Sequence, residues 1–97
     1  MFDTEERIKT IADHYGLDSQ LNILQEELAE LIQAVSKYRR NGSSDIIEEL
    51  ADVFIMIDQV IYLLNKTTDQ DLDYFIALHI EKKLRRQIDR IKDKEVK

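Results

Sequence analysis

The chain has 97 residues, a net charge of −6, no cysteine, no proline and two glycines. This length suits one small domain over residues 1–97, and the missing cysteines exclude disulfides and thiolate metal sites, which fits a cytoplasmic protein. The acidic balance argues against binding a nucleic-acid backbone, and the apolar runs are too short to span a membrane.

The scarcity of proline and glycine favours long helices joined by few turns. A first helix is predicted over residues 4–15, opened by a capping box formed by Asp3 and Glu6. A second helix is predicted over residues 18–40, with two arginines in its last turn, where cations suit the helix dipole. The two helices end at the two glycines of the chain, Gly16 and Gly42.

The third helix is predicted to begin at Ser44 or Asp45, and Asp45 and Glu48 have the spacing of another capping box. It should end near Asn65, and a short polar turn follows. The fourth helix then continues to about Lys92, with a frayed, charged tail over residues 93–97. We therefore expect an all-α protein of four helices.

Apolar residues follow helical spacing in each of the longer segments. The second helix carries a leucine-rich seam at Leu21, Leu24, Leu28, Leu31, Val35 and Tyr38. The third helix is apolar around most of its circumference, so it should be central in the bundle or shared between subunits. The fourth helix carries a narrower apolar stripe at Ala77, Ile80, Leu84, Ile88 and Ile91.

A short acidic repeat occurs on the second and third helices. Glu27 and Glu30 are three residues apart on the second helix, as Glu49 and Asp52 are on the third, so each pair lies on one helical face. The same faces carry apolar residues, which solvated charges do not require. If the two helices run antiparallel, the four carboxylates can face one another.

Four carboxylates held close together repel one another, and partial burial raises the cost of ionising them. A divalent cation removes that difficulty, and hard oxygen ligands without sulfur or a compulsory histidine suit Mg²⁺ or Mn²⁺. The alternative is that these residues form ordinary solvated helix faces. That alternative accounts well for any single acidic pair and less well for two matched copies.

A basic stripe occurs on the fourth helix. His79, Lys83, Arg86 and Arg90 are spaced by four, three and four residues, so they share one face. A polyphosphate held by a metal on one side needs cations on its other oxygens, which lysine and arginine supply. The alternative is an ordinary basic patch near a helix C-terminus.

The acidic repeat resembles a known signature. Glu26, Glu27 and Glu30, followed after eighteen residues by Glu49 and Asp52, are similar to the motif of the MazG-like all-α nucleoside triphosphate pyrophosphohydrolases, which are related to the dimeric dUTPases. The resemblance covers roughly residues 17–90. It includes further positions at Ala34, Lys37, the segment 52–56, Lys83, Leu84 and Arg86. One departure is Asp45, at a position where some relatives carry a lysine.

The resemblance implies a four-helix bundle that assembles as a homodimer or as a dimer of dimers. It implies a Mg²⁺ site, with Mn²⁺ as a possible substitute, whose ligands are Glu27, Glu30, Glu49 and Asp52. Catalytic roles would fall on Glu26 and Glu27. Lys83 and Arg86 match the basic pair expected at the substrate phosphates, and Arg90 continues their stripe.

The reaction that follows is hydrolysis of a nucleoside triphosphate to its monophosphate and pyrophosphate. Water held by the metal or by a carboxylate would attack the α-phosphorus in line with the leaving pyrophosphate. The leading alternative is a non-enzymatic helical interaction protein with solvated acidic faces. A di-iron carboxylate bundle is a further alternative, but it usually needs Glu-x-x-His motifs, and no histidine follows a motif glutamate at that spacing.

Overall fold

The computed structural model describes residues 4–96, and all regular secondary structure in this range is helical. The four helices in chain order are α1 Thr4–Tyr15, α2 Leu17–Asn41, α3 Ile46–Asn65 and α4 Leu72–Val96. The predicted all-α fold of four helices is therefore confirmed. Asp3, assigned above to the first capping box, lies outside the described residues. No helix in the described range is long and apolar enough to cross a membrane.

Both glycines end a helix, as predicted. Gly16 and Gly42 have φ values of 83° and 72°, in the left-handed region that favours glycine. The Gly16 N–H donates to the carbonyl of Ala12 at 2.9 Å, and the Gly42 N–H donates to that of Tyr38 at 2.7 Å. These bonds satisfy carbonyls at the ends of α1 and α2, which have no later partner within their own helix.

The capping box predicted at the start of α3 is wrong. Asp45 precedes the helix, but its side chain makes no capping hydrogen bond, and its φ of −87° and ψ of 30° differ from the extended geometry of most capping residues. Ser44 acts there instead, because its Oγ accepts a hydrogen bond from the Ile46 N–H at 3.2 Å. Asp45 is left exposed at the connection between α2 and α3.

The core lies where α2, α3 and α1 meet. Only four residues connect α2 to α3, and these two helices make the most extensive contact in the described part of the chain, so they form an antiparallel hairpin. Helix α1 packs mainly against α3. The buried apolar side chains are Ala12, Ala34, Val53, Met56, Val60 and Leu63. Four of these six belong to α3, which is thus the central helix of the chain.

Two glutamines join α2 to α3 inside this core. Gln20 and Gln59 are the most deeply buried large side chains, with 1% and 2% of their surfaces exposed. The Nε2 of Gln59 donates to the Oε1 of Gln20 and also lies 3.4 Å from the Sδ of Met56. The Oε1 of Gln59 accepts no hydrogen bond from the described residues. A polar contact therefore fixes the register of the hairpin near its open end, far from the connection at Gly42.

Helix α4 is attached to the rest of the chain at its first turn. The side chain of Asn65 accepts a hydrogen bond from the Leu72 N–H at 2.9 Å and donates one to Asp73 at 3.1 Å. Asp71 caps the helix by accepting from the Tyr74 N–H at 3.2 Å. Beyond this attachment α4 contacts neither α1 nor α2.

The result is an open shape. The radius of gyration is 17.2 Å, whereas a compact domain of this length has one of about 12.5 Å. The apolar stripe of α4 is uncovered in the single chain, with about half of the surface of Leu84 and of Ile88 exposed. Helix α4 ends at Val96, four residues beyond the end predicted at Lys92.

Candidate metal centre and adjoining groove

The helix faces that carry the acidic repeat, here called the acidic strips, face each other across the hairpin. They carry Glu27 and Glu30 on α2, and Glu49 and Asp52 on α3. Glu27 on α2 and Glu49 on α3 are half-buried, and Ala34 and Met56 on the same strips are buried in the core. The leucine-rich seam of α2 lies largely on another face, because its residues Leu21, Leu28 and Val35 remain about 40% exposed. The carboxylates thus share an interface with core residues, as the sequence pattern predicted.

Three carboxylates converge at this interface. Glu27, Glu30 and Glu49 each offer an oxygen, and these oxygens lie within 4.8 Å of one another. Asp52 is exposed and lies outside this group of three, although its charge acts on both Glu27 and Glu49. Glu26 is exposed and also lies outside the group.

Two oxygens of the cluster have no partner. The Oε2 of Glu27 and the Oε2 of Glu49 are buried, and neither accepts a hydrogen bond from the described residues. A buried acceptor left without a donor is costly, and more so when it carries charge. These oxygens therefore lie where a positively charged group would stabilise the fold.

The pKa values of the two half-buried carboxyls are raised by burial and by the repulsion between neighbouring carboxylates. Burial raises the pKa of Glu27 above its usual 4.5, and repulsion from Asp52, Glu30 and Glu49 raises it further. Burial likewise raises the pKa of Glu49, with repulsion from Glu30, Asp52 and Asp45 acting in the same direction. Negative charge is thus concentrated at a place that disfavours it.

The donor set suits a hard divalent cation. All the converging atoms are carboxylate oxygens, and Mg²⁺ and Mn²⁺ prefer such ligands over sulfur or imidazole. A cation would also satisfy the two unpartnered oxygens and reduce the repulsion among the four carboxylates. The residues present therefore fit the metal that the acidic motif predicts.

An open groove of about 580 Å³ adjoins the carboxylates. It lies between the second half of α2 and the start of α3, and Glu30 and Glu49 form part of its wall. The polar residues that line the rest of it are Gln33, Ser36, Lys37, Arg40, Ser44 and Asp45. The sequence pattern assigns a site role neither to Lys37, which is a position of the family resemblance, nor to Arg40. The available signal was the seven-residue spacing from Glu30 to Lys37, which puts both on one face of α2.

The basic stripe of α4 lies elsewhere in the single chain. Lys83, Arg86 and Arg90, together with Gln87, line a separate groove of about 180 Å³ formed by α4 alone. Helix α4 does not contact α2, and no α4 residue lines the groove beside Glu30 and Glu49. A contact between these cations and a substrate at the carboxylates stays a prediction.

Comparison with known proteins gives one match. The family model described as MazG nucleotide pyrophosphohydrolase domain matches residues 16–91, which include α2, α3 and most of α4. The matched range contains every carboxylate of the cluster and the whole basic stripe. No curated protein and no solved structure matches the chain.

Proposed function

Because the chain belongs to the MazG nucleotide pyrophosphohydrolase family, we propose that it hydrolyses nucleoside triphosphates to monophosphate and pyrophosphate with Mg²⁺. The observation that carries this proposal is the pair of buried, unpartnered oxygens on Glu27 and Glu49, which converge with Glu30. An ordinary acidic surface would leave such oxygens in water.

Glu27, Glu30, Glu49 and Asp52 would hold the ion, and Mn²⁺ could replace Mg²⁺ with the same ligands. When bound, the metal supplies Lewis-acid polarisation of phosphate oxygens and neutralises charge on the substrate. Asp52 is exposed one turn after Glu49, so it can complete the ligand set once a cation relieves the repulsion.

The remaining steps belong to side chains of the protein. Glu26 is an exposed carboxylate adjacent to Glu27, so it can accept the proton of a water molecule that attacks the α-phosphorus. Glu27 orients that water as well as serving as a ligand. Both residues are thus assigned catalytic roles.

Lys83, Arg86 and Arg90 are proposed to bind the substrate phosphates from a second copy of the chain. Helix α4 of the same chain makes no contact with α2, so these cations need a dimer or a dimer of dimers to reach a neighbouring site. Positive charge near the leaving pyrophosphate would stabilise the charge that develops on it.

The reaction can be tested with a panel of nucleoside and deoxynucleoside triphosphates and Mg²⁺, in water labelled with heavy oxygen. Pyrophosphate release with the label in the nucleoside monophosphate is the expected result, because it reports attack at the α-phosphorus. Label found only in pyrophosphate would indicate attack at the β-phosphorus. Release of orthophosphate with a diphosphate left behind, or no turnover of any nucleotide, would contradict the proposal.

A further inference from the structure

The groove beside the carboxylates has a positively charged end. Lys37 follows Glu30 by two helical turns, about 10.5 Å along the axis, on nearly the same face of α2. Arg40 is almost one turn further on, and both side chains line the groove that Glu30 and Glu49 enter. The groove therefore runs from a cluster of negative charge to two cations.

Neither cation is paired with a carboxylate of the described residues. Lys37 and Arg40 are exposed, and neither belongs to an ion pair among residues 4–96. Asp45 lines the same groove but forms no ion pair with either of them. Two positive charges thus point into one groove of a chain whose net charge is −6.

A hydroxyl group adds a donor to the same wall. Ser44 Oγ accepts the hydrogen bond of the Ile46 N–H, so its own proton is available for donation into the groove. The combination of two cations and a hydroxyl donor matches the needs of phosphate oxygens, which accept and do not donate when ionised.

We infer that Lys37, Arg40 and Ser44 form a subsite that binds the outer phosphates of the substrate, the part that leaves as pyrophosphate. This inference rests on the proposed function. The carboxylate cluster, with its cation, lies at the α-phosphate end, and the groove leads from there along α2. One chain therefore supplies contacts to both ends of the triphosphate, before any contribution from α4 of another copy.

Asp45 opposes this subsite. Its carboxylate lines the groove with the two cations, so it repels the outer phosphates. Asp45→Asn should consequently lower KM for the Mg²⁺–nucleotide, in the direction opposite to the loss of either cation. If Asp45 had no influence on the groove, Asp45→Asn would leave KM unchanged.

The test is calorimetric titration of Mg²⁺–pyrophosphate into the wild-type protein, Lys37→Met and Arg40→Gln. We expect each variant to bind about tenfold more weakly, because each loses a hydrogen bond to a charged group. Arg39→Gln is the matched control, since Arg39 lies in the same turn of α2, makes no ion pair with any described residue and does not line the groove. Circular dichroism checks that every variant retains its helices.

A second titration tests which part of the substrate Lys37 and Arg40 contact. Binding of the nucleoside monophosphate product with Mg²⁺ should be unchanged in Lys37→Met and Arg40→Gln, because that ligand has no outer phosphates. Absence of Mg²⁺–pyrophosphate binding by the wild type, unchanged binding by both variants, or equal weakening by Arg39→Gln would each overturn the subsite.

Failure of the subsite can be told apart from failure of the enzyme. Normal triphosphate hydrolysis with unaltered KM in both variants would leave the proposed function standing and remove the subsite. If Mg²⁺–pyrophosphate binding depends on Lys37 but the protein hydrolyses no triphosphate, the anion subsite would be supported and the proposed hydrolysis contradicted.

Discussion

Glu49 is a side chain whose charge the fold disfavours and the proposed metal site would require. Its carboxyl is half-buried, one of its oxygens has no partner, and three other carboxylates surround it. Without a cation, each of these features raises the free energy of the native state. In the proposed metal site, a bound cation would turn the same features into ligand contacts.

We predict that Glu49→Gln and Asp52→Asn each reduce turnover by about a hundredfold or more, because each removes a charged ligand of the cation. The metal-free variants should melt at a higher temperature than the metal-free wild type, since one repelling charge is gone. Mg²⁺ should raise the melting temperature of the wild type more than that of either variant.

Glu48→Gln is the matched control for these substitutions. Glu48 precedes Glu49 in the first turn of α3 but is exposed and lies outside the carboxylate group. Near-normal activity in Glu49→Gln or Asp52→Asn would show that the assigned ligands are wrong. Differential scanning calorimetry with and without Mg²⁺ supplies the thermal comparison.

The raised pKa values predict an unusual pH dependence for the metal-free protein. The folded-state pKa values of Glu27 and Glu49 lie above their usual value of 4.5, so their charged forms destabilise the native state. This destabilisation is fully present above the folded pKa values and disappears below the unfolded value. The wild type should therefore gain stability relative to Glu49→Gln as the pH falls from 7 towards 4.5.

Urea unfolding at several pH values in this range, with a chelator present, measures that difference. The opposite sign, with the wild type losing stability relative to the variant on acidification, would mean that Glu49 is stabilised by a partner in its charged form. The comparison with the variant cancels contributions from other groups, such as Asp13. The pKa of Asp13 is lowered by its hydrogen bonds to Lys66 and Tyr62, so Asp13 loses stabilisation on acidification.

At the scale of helices, the hairpin of α2 and α3 depends on the buried contact between Gln20 and Gln59. We predict that Gln59→Leu destabilises the protein by about 1–3 kcal/mol, because the buried amide of Gln20 loses its partner. The double variant Gln20→Leu, Gln59→Leu should recover much of this loss, since no polar group is then left unpaired. Chemical unfolding of the full double-mutant cycle measures the coupling.

Gln25→Leu serves as the control for this cycle, because Gln25 is exposed on α2 and the substitution leaves the core unchanged. An additive cycle, in which the double variant loses the sum of the two single losses, would show that the two side chains do not stabilise each other. The hydrogen bond would then be incidental to the register of the hairpin.

Helix ends and the facing of the acidic strips were predictable because their signals are local. Gly16 and Gly42 provide a conformation that other residues rarely adopt, and the helical period alone puts Glu27 and Ala34 on one strip. The start of α3 was predicted less well. Ser44 and Asp45 are both capping residue types, and only the backbone geometry decides between them.

Features that depend on neighbours in space could not be read from the pattern. The seam residue Leu28 is as apolar as a core residue, yet it remains 41% exposed because the chain packs α3 on another face of α2. The pairing of Gln20 with Gln59 has no sequence signal, since an isolated glutamine is usually exposed. The groove of Lys37 and Arg40 likewise exists only once α3 lies beside α2.

At the scale of the whole molecule, the uncovered stripe of α4 predicts self-association. Ile80, Leu84, Ile88 and Ile91 are each about half exposed along one side of a helix that contacts only the end of α3. Apolar surface of this extent is usually covered in a protein–protein contact. We expect a homodimer or a dimer of dimers in solution, in which dissociation and unfolding are coupled.

Leu84→Glu should shift the protein towards smaller species and lower its melting temperature, because a charge then lies in the apolar stripe. Lys82→Glu is the control, since Lys82 projects from the other side of α4 and its substitution also makes the helix more negative. Light scattering with size-exclusion chromatography measures the mass. A stable, folded wild-type monomer at micromolar concentration would contradict the prediction.

The short connection between α2 and α3 also has a kinetic consequence. Glu30 and Glu49 are separated by only eighteen residues, within one hairpin closed at Gly42, so their contact needs little loop-closure entropy and can form early in folding. The barrier to folding should therefore include their mutual repulsion. In stopped-flow experiments without metal, Glu49→Gln should accelerate refolding and leave the unfolding rate almost unchanged.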